Sequence, residues 1–132
     1  METTSYELAA RLAGVSLDDA RAKVSEALTV EGFGILTEID VQATLKKKLD
    51  VDFRPYAILG ACNPQLAHRA LEAEPQIGLL LPCNVVVQET DGGSTVSIAD
   101  PRTMFSLVDN QDLEPVVREA DERLRRVLAA LS

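Results

Sequence analysis

The chain reads as an α+β protein: one two-layer domain spanning residues 1–132, built on a mixed β-sheet of about five strands covered by helices mainly on one face. Three observations predict this class. A period-two segment opens the chain, apolar stripes at helical spacing recur through it, and an Asp-Gly-Gly-Ser turn late in the sequence joins two strand-like runs. A length of 132 residues suits one domain and is enough to bury a core without disulfides.

Tyr6, Leu8, Ala10 and Leu12 alternate with Glu7, Ala9 and Arg11, as a strand with one buried face requires. Ser16 then stands as an N-cap with Asp19 at capping-box spacing. Leu17, Ala20, Val24, Ala27 and Leu28 make the stripe of a first helix over about 17–31, ended by Gly32. Residues 33–37 read as a second strand. Val41, Leu45 and Leu49 repeat every four residues in a short helix after it, for which Thr37 and Asp40 offer a capping box. Arg54-Pro55 breaks the chain before a compact apolar third strand over residues 56–61. Asn63-Pro64 supplies an N-cap and first-turn proline for a helix to about Ala73. Glu74-Pro75 stops that helix. Residues 84–90 and 95–99 form a hairpin around Asp91-Gly92-Gly93-Ser94, and Asp100-Pro101 begins a turn. After Asp112, Leu113, Val116, Val117, Ala120, Leu124, Val127, Leu128 and Leu131 form the apolar stripe of a last helix that closes the core.

Composition narrows the function. Hydrophobic residues make up 46% and charged residues 26% of the chain, which is globular rather than disordered composition. The net charge of −8 repels phosphate backbones, and two Tyr and three Phe offer little surface for base stacking, so nucleic acid is not an expected partner. No apolar run approaches the ~18 residues of a membrane span, and Met1 to Ser5 lacks the basic-then-apolar pattern of a leader, so a cytoplasmic protein is expected. The two cysteines are too few for a disulfide framework and read as free thiols.

The available chemistry collects at strand ends. Cys62 lies between the third strand and the helix capped by Asn63, where unpaired N–H groups and the helix dipole favour a thiolate. The second strand ends in Thr37, Glu38 and Asp40. In sheets with parallel neighbours, ligands gather beyond the carboxyl ends of strands, so Thr37, Glu38, Asp40, Cys62 and Asn63 form the candidate ligand-binding set in a shared cleft. The competing reading makes Asn63 a simple cap and Cys62 a small buried hydrophobe. Whether Cys62 and Cys83 meet depends on strand direction: parallel strands put them at opposite sheet ends, antiparallel strands at the same end. With no CxxC pair, neither a metal nor a cofactor is expected. His68, the only histidine, falls on the helix side opposite Leu66, Ala70 and Leu71 and is expected at the surface. Lys46-Lys47-Lys48 reads as a solvated helix face, and no phosphate-loop or dinucleotide motif is present.

Gly32-Phe33-Gly34, Thr37-Glu38-Ile39-Asp40, Lys46-Lys47-Lys48-Leu49, Ile58-Leu59-Gly60-Ala61-Cys62-Asn63-Pro64 and Leu81-Pro82-Cys83-Asn84-Val85 follow one another in an order that resembles the domain of unknown function 302 family. The resemblance spans almost the whole chain. It implies a compact prokaryotic α+β protein that forms dimers, and it carries over no catalytic residue. The expectation is therefore a non-enzymatic homodimer that binds a small ligand or protein partner at its strand ends. A thiol or redox enzyme using Cys62 is the alternative, and an assembly module without a small-molecule site is a further one.

Overall fold

A computed structural model describes residues 4–131. Five strands, β1 (Glu7–Ala13), β2 (Gly34–Asp40), β3 (Tyr56–Cys62), β4 (Cys83–Thr90) and β5 (Gly93–Ala99), form one sheet in the order β1-β5-β4-β3-β2. The α+β class and the strand count are as the sequence predicts. The sheet is not mixed, however: every neighbouring pair runs antiparallel. The helices are α1 (Leu17–Val30), α2 (Val41–Leu49), α3 (Pro64–Ala73), the single turn α4 (Pro101–Met104) and α5 (Glu114–Leu131).

The period of two decides which face is covered. Leu8 and Leu12 of β1, Ala57, Leu59 and Ala61 of β3, Val85 and Val87 of β4, and Val96 and Ile98 of β5 are buried on one face. Against them lie the buried stripes of α1 (Ala20, Val24, Ala27, Leu28) and α5 (Val116, Ala120, Leu124, Val127, Leu131). Alternate residues point the other way, and Arg11, Ile39, Ile58, Val86 and Ser97 stay exposed or half-buried there. Tyr6 lies just outside the first strand and is exposed, so the alternating pattern begins one residue later than the sequence suggests.

Capping residues fix where helices start, and hence where strands stop. Ser16 accepts from the Asp19 N–H at 3.2 Å, as its spacing requires. Thr37 and Asp40 do not form a capping box. The second strand continues past Thr37 because its pairing with β3 persists to Asp40 opposite Ala57, and Asp40 itself is the N-cap of α2, accepting from the Ala43 N–H at 2.9 Å. The hairpin is tighter than its sequence signal: Thr90 pairs with Gly93, leaving Asp91-Gly92 as a two-residue turn with Gly92 at φ 73°. No helix among the described residues is long and apolar enough to cross a membrane.

The helix between β2 and β3 differs from the others. No residue of α2 is buried, and its stripe of Val41, Leu45 and Leu49 finds only partial cover. β2 is moreover an edge strand, with Leu36 bulged out between Ile35 and Thr37. Leu36, Ile39 and Leu49 are 66%, 49% and 65% exposed, apolar side chains in solvent among the exposed polar residues of the same strand and helix.

Candidate functional site

The antiparallel register divides the five residues singled out from the sequence. Cys62 pairs with Gly34 at the start of β2, whereas Asp40 at its end pairs with Ala57. Five β3 positions separate the two ends, about 17 Å at the usual rise of a strand. A shared cleft of Thr37, Glu38, Asp40, Cys62 and Asn63 is therefore not formed. The carboxyl end of β2 meets the amino end of β3, a consequence of antiparallel pairing that defeats the rule for parallel sheets.

At the Asp40 end, Glu38 pairs with Arg21 of α1, which also meets Asp18 at 3.2 Å. Asp40 and Arg21 line a polar hollow of about 300 Å³ with Ser16, Gln42, Tyr56 and Glu89. Two of its carboxylates each accept from a helix-start N–H. Asp40 caps α2, and Glu89 accepts from the Leu17 N–H at 3.4 Å. Thr37 lies between the two ends, opposite Gly60, where a Cβ would collide with the Thr37 hydroxyl and come within 2.9 Å of Pro82 Cγ. Glycine at position 60 is thus a packing requirement.

Cys62 and Asn63 remain together at the far end, and the structure adds Cys83 to them. Cys83 sits opposite Ala61, one residue from Cys62 across the β3–β4 ladder, so the antiparallel alternative for the two thiols is the one realised. Both are free. Asn63 is buried and caps α3 with its Oδ1, which accepts from the N–H groups of Gln65 and Leu66 at 3.1 and 3.2 Å. Its Nδ2 donates to the Glu31 carbonyl at 3.4 Å, tying the start of α3 to the end of α1.

That cap alters the chemistry of its neighbour. The helix N–H groups that would favour a Cys62 thiolate are taken by Asn63, and burial pushes the Cys62 thiol up rather than down. Burial, and secondarily the nearby Cys62, push Cys83 up to about 11. Both sulfurs are held as protonated thiols near neutral pH. Among the described residues no base lines the cavity around them, and His68 points outward to Glu72 at 2.8 Å. Among the described residues, no group of three or more His, Cys, Asp or Glu side chains is placed to hold a metal ion.

Around the thiols the wall is apolar. Cys62 and Cys83 line a small cavity of about 30 Å³ with Phe33, Ala61, Leu66, Leu81 and Phe105. Cys83, Leu81 and Phe105 also line a larger neighbouring cleft of about 160 Å³ between the turn Pro75–Leu80 and α4. Leu81-Pro82-Cys83 is among the runs that carry the family resemblance, yet the sequence alone gives Leu81, Pro82 and Phe105 no site role. The run Leu79-Leu80-Leu81 before Pro82 was the available signal, since so apolar a stretch outside a regular element needs a partner surface.

A solved structure is similar to this chain throughout. A crystal structure of an uncharacterized conserved DUF302 protein from Bacillus stearothermophilus shares 26% identity at a TM-score of 0.88, over 98% of this chain and 100% of that one. No curated protein matches the chain. The family model described as Domain of unknown function DUF302 matches residues 9–131, from within β1 to the end of α5, and the chain belongs to that family.

Proposed function

We propose that this protein is a non-enzymatic binding domain that works as a homodimer and holds a small ligand or partner at the Cys62–Cys83 end of its sheet. The observation that carries the reading is a largely apolar cleft that reaches Cys83 and backs onto a small cavity lined by both cysteines, whose thiols burial pushes up. Such a wall recognises by shape and exclusion of water, and it supplies neither a thiolate nor an adjacent base for covalent chemistry. This favours binding over the thiol enzyme, and the cleft itself favours binding over a module built only for assembly.

The dimer is supported by the open edge of the sheet. Edge strand β2 and helix α2 place Leu36, Ile39 and Leu49 in solvent, and a second copy related by a two-fold axis would cover both sets at once. Native mass spectrometry of the protein as purified tests both halves together, by oligomer mass and by retained ligand. Light scattering is expected to give twice the chain mass at micromolar concentration, and Ile39→Asp is expected to give monomers. Monomer mass for the unmodified chain across that range would remove the subunit reading.

A further inference from the structure

The cleft between the Pro75–Leu80 turn and α4 has a definable occupant. Its wall is made by Leu80, Pro82, Ala99, Pro101 and Met104, together with Asn84. It backs onto the smaller thiol-lined cavity through the shared residues Leu81, Cys83 and Phe105. No charged side chain lines either space among the described residues. At the mouth, Leu79 is 83% exposed and extends the apolar wall into solvent.

We propose that this cleft binds a small neutral molecule whose apolar part has about the bulk of a benzene ring and enters toward Cys83. This rests on the reading of the Cys62–Cys83 end as the ligand end, and it names the ligand class. The volume of about 160 Å³ is close to the roughly 150 Å³ of an apolar protein cavity that admits benzene. The charge argument excludes ions of both signs: a net charge of −8 repels an anion, and the wall offers no carboxylate to hold a cation.

Benzene is the probe for the apolar part. Titrated into the full chain and followed by amide chemical shifts, it is expected to give saturable changes confined to Leu81, Cys83, Phe105 and their neighbours. Ala99→Leu and Met104→Phe each fill the cleft from a different wall, and each is expected to weaken binding at least tenfold. Either variant suffices if the other does not fold. Absence of a saturable response, shifts scattered over the surface, or unchanged binding in a folded filled variant would overturn the proposal. A response that appears only on dilution to monomer would also overturn it, since a second copy would then occupy the cleft. Light scattering on the same samples keeps the two readings apart: a dimer that ignores benzene refutes the ligand class alone, and a monomer that binds benzene refutes the dimer alone.

Discussion

Replacing Asn63 by Ala should show how much of the fold depends on the junction beside the thiols. The side chain is 8% exposed and its Oδ1 accepts two of the first N–H groups of α3. Loss of an N-cap costs about 0.5–2 kcal/mol, toward the upper end when the orphaned donors are screened from water, as the Leu66 N–H is here. The lost Nδ2 donation adds little, because the Glu31 carbonyl still accepts from Arg123 at 2.9 Å. A total of about 2 kcal/mol is expected. With roughly 2.1 cal/mol/K of unfolding entropy per residue over 132 residues, that loss lowers Tm by about 7 °C. Thermal melts and urea titrations of Asn63→Ala and Asn63→Asp test the assignment. The Asp variant keeps the acceptor but turns an oxygen toward the Glu31 carbonyl, so it should lose less than the Ala variant without matching the parent. A Tm for Asn63→Ala within about 2 °C of the parent, or an equal loss for both variants, would refute the view that capping holds this residue in place.

Three further outcomes follow from the same geometry. Glu38→Ala should change stability by less than about 0.5 kcal/mol in urea titration, because its pairing with Arg21 is exposed and screened. Gly60→Ala should cost about 1–3 kcal/mol by the same measurement, since a Cβ there runs into Thr37 and Pro82 and their strands must shift to admit it. Alkylation followed by peptide mass mapping should find Cys62 modified faster than Cys83. The rate at Cys83 should still be rising at pH 9: with its thiol pushed up to about 11, only about one thousandth is thiolate at pH 8. A rate plateau for Cys83 below pH 9, or faster modification of Cys83 than Cys62, would contradict the burial that raises it.

Local signals in the sequence were accurate where one residue decides the outcome. Ser16 and Asn63 cap the helices they precede, and the Asp91-Gly92 turn makes the hairpin. The apolar stripe from Leu113 to Leu131 also marks α5 correctly. Thr37 misled because it has cap chemistry within a segment whose pairing continues three residues further. Only the partner strand, through Asp40 opposite Ala57, reveals that extension. The cavity wall was less legible still, since Leu81, Cys83 and Phe105 come from separate segments that the fold brings together.

Strand direction was the decisive gap, and α2 shows why. A helix between two strands suggests a parallel crossover, but a crossover helix must bury its apolar face on the sheet to return the chain to the other end. The stripe of α2 has only Val41, Leu45 and Leu49, interrupted by three lysines, and it buries none of them. A helix that gains so little from the sheet need not cross it, and the chain re-enters as β3 beside the point where β2 ended. The same antiparallel return after α3 brings Cys83 back beside Cys62. The face of α2 accounts for the first return only, since α3 buries Leu66 and Ala70 and β4 still runs antiparallel to β3. The weak apolar face of α2 separates Glu38 and Asp40 from the cysteines, while the antiparallel sheet assembles the thiol-lined apolar end to which the binding role is assigned.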